Sequence, residues 1–329
     1  MGVAYVYSAC DIVYSSFYLE GLQQIFGWSN VRFSFKKFPA FRQGTLAIII
    51  VEKKQVIKKI VIDFHDRDDY NLQSLEWCDI YGKINVNKLS LPALHQQKIV
   101  PIGPGFATRV MGVFTFAAMA LINYQKSKTV LVDKKGHFSN YLSQYKHRLP
   151  LSFYTHQPSD KNYLFFLSTI WKGQPETNSI RRRFIEVAKG LKNTTFEGGF
   201  APRVLNDVPG FEDITVSKRY PFRNYLNNIK KSFTVFNTKV VLDCHGWKLG
   251  EFLILGKAII STPLSREMPG PITHGREMHL IDGSEEAMLE ALIKIKNDDA
   301  YRTSLEENAR KYFLDYVEPV KMFKRFLSK

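Results

Sequence analysis

The sequence predicts an α/β protein built as two doubly wound domains, and three observations point there. The chain has 329 residues with 45% hydrophobic content, more than one core holds. Strand-like apolar runs alternate with helical stretches in both halves. The second half opens on "YLFFLST", a continuous apolar run of the kind a buried parallel strand gives.

Taken in order, "VAYVYS" reads as a strand, "YSSFYLEGLQQIF" as a helix, and "NVRFSF", "TLAIIIVE", "KKIVIDF" and "YGKINVN" as further strands. The Pro/Gly-rich loop "VPIGPGFATR" leads into "VMGVFTFAAMALINYQ", which reads as a buried helix. Apolar periodicity stops around "KHRLPLSFYTHQPSDKN", which places a first domain over 1–155 and a second over 156–310. After "YLFFLST" come the loop "IWKGQPETN" and a basic amphipathic helix, "SIRRRFIEVAKGL". Strand and turn in "NTTFEGGF", helix in "FRNYLNNIKKS" and strand in "FTVFNT" follow. A short apolar helix in "HGWKLGEFLILG", strands in "AIISTP" and "MHLID", and a helix in "SEEAMLEALIKIKND" complete the doubly wound order.

Composition narrows the setting. A formal net charge of +15 implies a polyanionic neighbour: nucleic acid, an anionic membrane leaflet or phosphorylated ligands. Cys10, Cys78 and Cys244 form no CxxC pair, which argues against a disulfide framework or zinc site and for a reducing, cytoplasmic compartment. The N-terminus lacks a basic region and cleavage site of the secretory kind. The uncharged run from Val110 to Tyr124 falls short of the ~20 apolar residues a spanning helix needs.

The stretch "HGWKLGEFLILGKAIISTPL" carries the chemistry. Its short apolar helix must be buried, yet its entrance holds Gly246, Lys248, Gly250 and Glu251, which packing does not require. In an open α/β sheet ligands bind beyond the carboxyl ends of the strands, where helix N-termini offer backbone N–H groups to anions. Gly246 permits close approach to a phosphate, Lys248 adds a cation, and Glu251 lies at the distance of a ribose. A tightly packed entrance with a solvated Lys and Glu would show the same residues.

Asp243, Gly246, Glu251 eight positions after Asp243, Gly256 and Lys257 resemble the donor site of the GT-B glycosyltransferases. The likeness is nearest to the retaining glycosyltransferase family 4 type and its relatives in bacterial capsular and surface polysaccharide synthesis. The resemblance implies two Rossmann-like domains facing a cleft and a nucleotide-sugar co-substrate without resident cofactor. It implies that Glu251 holds the nucleotide ribose and Asp243 contacts the donor sugar. "FFLSTIWKG" is similar to the family's first C-terminal strand and phosphate loop, so that Lys172 and Arg181 would neutralise the diphosphate. The closing "RKYFLDYVEPVKMFKRFL" is similar to the family's terminal helices, with 311–329 returning to the N-terminal domain. Asp243 stands where the family has Glu and Cys244 where it often has Gly, which leaves retention or inversion of configuration open.

Two weaker motifs lie beside it. The glycines of "FEGGFAPR" suit backbone approaching a ligand or a plain turn, and "MPGPITHGREMHLID" places His274 and Gly275 in a loop. In the first half the titratable cluster is "VIDFHDRDDY". Asp63, His65 and Asp66 fall where a strand ends; His65 and Asp66 are the candidates to take a proton from an acceptor hydroxyl or position the sugar. Asp68 and Asp69 read as caps of the next helix. The same "DRD" permits a metal-dependent GT-A reading, although that leaves the second half unexplained.

The tract "VRFSFKKFPAFRQG" interleaves Arg32, Lys36, Lys37 and Arg42 with four phenylalanines, a mixture suited to an anionic membrane surface, to RNA, or to a half-buried strand. The sequence therefore points to a metal-independent glycosyltransferase with a saccharide or polyprenyl-linked acceptor. It is expected in the cytoplasm, peripheral on the inner face of the membrane, with no nucleic-acid partner. The alternative class is a non-enzymatic basic module binding nucleic acid or membrane.

Overall fold

The computed structural model describes residues 2–41, 44–203, 205 and 207–329. It divides into two compact units, one of Met1–Phe153, Arg266–Pro269 and Asp315–Lys329, the other of Tyr154–Ser265 and Gly270–Leu314.

The first unit contains β1 (Val3–Tyr7), α1 (Ile12–Phe26), β2 (Val31–Ser34), β3 (Thr45–Glu52), β4 (Gln55–Asp63), α2 (Leu72–Trp77), β5 (Ile80–Lys83), β6 (Ile99–Pro101), α3 (Val113–Ser127) and α4 (Lys134–Lys146). The sheet order is β2-β1-β3-β4-β5-β6. β3 runs antiparallel to both neighbours and the other pairings are parallel. The expected doubly wound pattern thus holds with one strand reversed. The reason is local: β3 and β4 are joined through Lys53 and Lys54, both left-handed (φ 45° and 68°), the geometry of a tight hairpin. Hydrophobic alternation registers a strand but not its direction.

Two helices of this unit depart from the reading of the sequence. The segment expected as a buried helix is helical over α3, but Phe114 is 87% exposed and Leu121 59%. Its inward side carries Asn123, whose Nδ2 donates to Tyr141 Oη (2.8 Å), and Ser127, whose hydroxyl meets that of Ser8 (2.6 Å). Polar groups that find partners inside decide which face turns in. α4 carries no apolar periodicity to reveal it and starts at Asp133, which caps Gly136 N (2.7 Å).

The second unit contains β7 (Tyr163–Thr169), α5 (Pro175–Gly190), β8 (Thr195–Ala201), α6 (Phe222–Lys231), β9 (Val235–Asn237), α7 (Trp247–Leu255), β10 (Ile259–Ser261), β11 (His279–Leu280), α8 (Glu285–Asn297) and α9 (Asp299–Tyr312). β7 pairs with β8, and β9 with β10 and β10 with β11, all parallel. The two groups are β8-β7 and β9-β10-β11; Phe233 N donates to Tyr163 O (3.0 Å) and Phe165 N to Ser232 Oγ (2.9 Å), which sets the chain entering β9 beside β7, so that the strands follow the order β8-β7-β9-β10-β11. Strand order therefore reverses between β7 and β9, the switch point at which such sheets bind ligands. Phe184 of α5 stacks on Phe236 of β9 at 4.1 Å inside the core, where truncating a ring costs about 3–5 kcal/mol.

After α9 the chain returns to the first unit as α10 (Pro319–Ser328), which packs on α1. Gly21 permits the contact, since a Cβ there would lie 2.8 Å from Pro319 Cβ. Arg266–Pro269 also belongs to the first unit, through Glu267 N on Val86 O (2.9 Å) and Arg266 on Asp68 (3.1 Å).

Candidate functional site

At the switch point of the second unit, the ends of β7 and β9 are tied by Arg181. Its guanidinium donates to Thr169 O (2.9 Å), Thr238 Oγ1 (3.0 Å) and Lys239 O (3.4 Å). Burial lowers its pKa to about 10. The side chain expected at a diphosphate is thus a brace between two strand ends, its charge just beneath them. The loop after β7 is fixed by Asn178, which donates to Trp171 O (2.8 Å) and accepts from Trp171 N (3.0 Å).

The chain leaving β9 takes two left-handed residues in succession, Leu242 (φ 55°) and Asp243 (φ 61°), before α7. Each costs about 1–2 kcal/mol for a side chain with a Cβ, and such strain concentrates at functional sites. Lys239 holds the turn by pairing with Asp243 (2.9 Å) and with Glu176 at the start of α5 (3.2 Å). α7 then begins at Gly246, without a side-chain cap. A Cβ at Gly246 would meet Val240 Cγ1 at 3.3 Å, so the glycine also serves close packing.

In the first turn of α7, Lys248 donates its ammonium to Leu167 O and lies over the rings of Phe166 and Tyr225. Burial, reinforced by the charge of Arg181 and opposed by Glu251, lowers its pKa to about 7. Glu251 is 5% exposed and accepts from Tyr225 Oη (3.1 Å). Lys248, Glu251 and Arg181 are one electrostatic cluster, whereas Lys172 stands at the surface, 75% exposed and 3.8 Å from Asp207. The "GK" closing the helix is structural. Gly256 is left-handed (φ 60°), and the buried Lys257 donates to Ser159 Oγ (2.7 Å) and Lys230 O (3.0 Å).

Beside Leu167 opens a cavity of about 420 Å³ at the ends of β7 and β8, lined also by Thr169, Pro202, Arg203, Arg219 and Tyr220. Arg203 is held over it by Ile170 O (2.6 Å) and Asp207 (2.7 Å). The glycines of "FEGGFAPR" lie inside β8, and their closeness is to protein. A Cβ on Gly198 would fall 1.9 Å from Phe166 O, and one on Gly199 2.3 Å from Ile214 O. His274 closes a short turn, its Nδ1 3.1 Å from Leu280 N.

In the first unit the sheet edge is organised around Asp63, at the end of β4. Oδ1 accepts from His65 N (2.9 Å) and faces His65 Nδ1 (2.8 Å), while Oδ2 accepts from Tyr81 Oη (2.6 Å) and Lys83 Nζ (2.9 Å). Four donors satisfy all its lone pairs. Burial alone would raise its pKa; His65, Lys83 and Tyr81 together outweigh that and hold it at about 2. An ionised carboxylate only accepts, so Nδ1 of His65 carries the proton and Nε2 is left as the basic nitrogen. Gly44 permits that placement, because a Cβ there would lie 2.5 Å from Nε2. The carboxylate holding His65 is Asp63; Asp66, the candidate from the sequence, is exposed beyond it. Asp68 does not cap α2 but takes Asn87 Nδ2 (2.8 Å) and Arg266, and the cap is Asn71, accepting from Ser74 N (2.8 Å).

Gly44 also lines a second cavity, of about 230 Å³, at the end of β1, with Asp11, Thr45, Asp133, His137 and Asn140. Asp11 is the cap of α1 and accepts from Asn140 Nδ2 (3.0 Å). The rings of the basic-aromatic tract are not surface groups, since Phe33 and Phe38 are buried and Phe35, Phe38 and Phe41 cluster round Tyr7. Arg32, Lys36 and Lys37 are exposed, Lys37 over the ring of Tyr5; Arg42 lies outside the described residues.

Tyr225, Lys239 and Arg203 were not among the site residues read from the sequence, and Asp63 was read there as a member of the strand-end cluster, not as the group that orients His65. Asp63 had a signal, its place two residues before His65 at a strand end; Tyr225 acts through Glu251, 26 positions on, while Lys239 and Arg203 each join a distant partner, Glu176 and Ile170 O, to a near one, Asp243 and Asp207.

No family model and no curated protein sequence matches the chain. Among solved structures it is similar to a glycosyltransferase from Rickettsia africae ESF-5, at 10% identity and TM-score 0.43, over 80% of this chain and 68% of that one. It is similar to TarM at 10% identity and TM-score 0.40, over 88% and 73%. A UDP-GlcNAc 2-epimerase from Neisseria meningitidis, bound to UDP-GlcNAc, gives 12% identity and TM-score 0.40 over 78% and 63%. These are likenesses of outline; the assignment of two Rossmann-like α/β units rests on the strand order and pairing described above.

Proposed function

We propose that the protein is a glycosyltransferase that moves a sugar from a nucleotide-sugar donor to a hydroxyl of a saccharide or lipid-linked saccharide, in surface polysaccharide synthesis at the inner face of the cytoplasmic membrane. The observation that carries this reading is the entrance of α7, an uncapped helix N-terminus at the switch point, whose Lys248 donates to the carbonyl of Leu167, a residue that also lines the cavity flanked by Arg203 and Arg219. Backbone N–H groups and Lys248 would take the diphosphate, Glu251 the ribose and Asp243 the donor sugar. Lys172, exposed in the loop after β7, would reach the outer phosphate. In the first unit His65, oriented by Asp63, would accept the proton of the acceptor hydroxyl. Cations and helix N–H groups stabilise the departing diphosphate, so that no resident metal or cofactor is called for.

Thermal stabilisation by nucleoside diphosphates and nucleotide sugars tests the donor site, since a ligand at a hundred times its Kd adds about 2.7 kcal/mol. The absence of any stabilising nucleotide would overturn the reading. Transfer to saccharide acceptors in EDTA tests the chemistry, and activity lost in EDTA and restored by manganese would overturn its metal independence.

A further inference from the structure

The first unit shows an inverted helix. On α3, residues 113, 114, 117, 118, 121 and 122 are all exposed, a stripe of Val, Phe, Ala, Ala, Leu and Ile along one face. Polar Asn123 and Ser127 turn inward to partners. A helix of a water-facing surface has the opposite arrangement, and a contiguous exposed apolar face marks a contact surface. The face continues through Val132, 98% exposed, and onto α4 through Phe138 and Leu142, one helical turn apart and also exposed. Tyr124 and Phe138, with ring centres 5.1 Å apart, join the two helices side by side.

Within the α3–α4 segment the charge is almost all of one sign. Residues 109–148 hold seven Lys or Arg and a single acid, Asp133, whose carboxylate is committed to capping α4. Lys128, Lys134, Lys135 and Lys146 are exposed. Two copies meeting through this face would set lysines against lysines, whereas an anionic lipid surface accepts both the rings and the ammonium groups. α3, at 15 residues, is about 22 Å long, shorter than the ~30 Å hydrocarbon layer. No helix among the described residues is long and apolar enough to cross a membrane.

We infer that the α3–α4 face docks the protein on an anionic bilayer, with α3 lying in the plane of the headgroups. Docking does not depend on the transferase reading. If that reading holds, one consequence follows from geometry. Val130–Asp133, the segment joining the two helices, forms a wall of the cavity at the end of β1, so docking brings that cavity to the lipid surface, where a lipid-linked acceptor resides.

Co-sedimentation of the full chain with vesicles of phosphatidylcholine alone, or with about a third phosphatidylglycerol, tests this. Binding should require the anionic lipid and weaken by about tenfold or more between 0.1 M and 1 M salt. Phe114→Glu with Leu121→Glu, and separately Lys134→Glu with Lys135→Glu, should each lower it by about tenfold, while Lys36→Ala with Lys37→Ala stays within about threefold. Unchanged thermal midpoints in these surface variants would show that the fold is intact. The inference is overturned if the wild type ignores anionic vesicles, if both helix variants bind like wild type, or if the wild type is a dimer that the Phe114/Leu121 variant dissociates while vesicle binding persists. Nucleotide stabilisation, measured on the same variants, reports the donor site separately.

Discussion

The carboxyl edges of the two sheets carry opposite electrostatic designs. In the first unit, Asp63 is surrounded by four donors and its charge is fully compensated, so the network fixes one position of His65. In the second, Arg181 and Lys248 are gathered under two strand ends with Glu251 as the nearby acid, and Lys248 is driven down to about 7 by burial and by Arg181. A closed network orients a group; an under-compensated cluster of cations gains from an incoming anion. Nucleotide affinity should therefore be sensitive to the second edge, and turnover and stability to the first.

The largest expected effect separates them cleanly. His65→Gln should lower turnover by about 10²–10⁴, the range of general-base catalysis, with nucleotide affinity nearly unchanged by calorimetry. Full turnover in this variant would move the proton acceptor elsewhere.

Asp63→Ala strips the countercharge from Lys83, which is 0% exposed, and should destabilise the fold by about 3–5 kcal/mol in denaturant titration. The same carboxylate gives a pH signature. Its folded pKa, about 2, lies below the value of about 3.9 in an unfolded chain. Its stabilisation is complete above pH ~4 and is lost as pH falls towards 2. An acid transition absent from Asp63→Ala would confirm the assignment; one shared by both proteins would refute it.

Glu251→Ala should weaken both free nucleoside diphosphate and intact donor by about ten- to a hundredfold, the value of roughly 1.5–3 kcal/mol for a hydrogen bond to a charged group. Tyr225→Phe, which removes only the partner hydroxyl, tells loss of a ribose contact from loss of packing. Should Glu251→Ala bind normally, the α7 entrance is a packing motif.

Smaller is the pH dependence of binding. Lys248 has a folded pKa of about 7 against 10.5 for a free lysine, so a diphosphate that restores its charge takes up a proton. Nucleotide affinity should fall by about tenfold as pH rises from 7 to 8.5, and Lys248→Met should flatten the profile. In the absence of ligand the sign is opposite, with stability rising as pH rises between about 7 and 10.5, because only the unfolded chain then binds the proton. The smallest effect is at the strained turn. Leu242→Gly relieves about 1–2 kcal/mol and costs about 0.5–1 in chain entropy, so stability should hold or rise by up to about 1.5 kcal/mol.

How much was legible differs by element for physical reasons. α7 and its Gly256 stop were readable because a short helix closing on the apolar run Phe252–Leu255 and a left-handed glycine is a local signal. β7 was readable from its unbroken apolar content. α4 escaped because a helix stabilised by neighbours needs no periodic stripe of its own, and the direction of β3 escaped because a strand reads the same both ways. At the candidate site, His65, Lys248 and Glu251 were visible as residue types at strand and helix ends. Their partners Tyr225 and Leu167 required the fold, as did the role of Asp63 as the group that orients His65 and the conversion of Arg181 from ligand to brace.

The sequence by itself determined the two α/β halves, the strand ends and helix entrances where chemistry collects, and the strong positive charge, because each follows from local composition and period. Only the tertiary structure decided which side of α3 faces outward, that the phenylalanines after β2 are core, and which charges are compensated. Those outcomes depend on contacts such as Asn123 with Tyr141 or Lys83 with Asp63, made between residues far apart in the chain, and no local pattern encodes whether a polar group will find its partner inside.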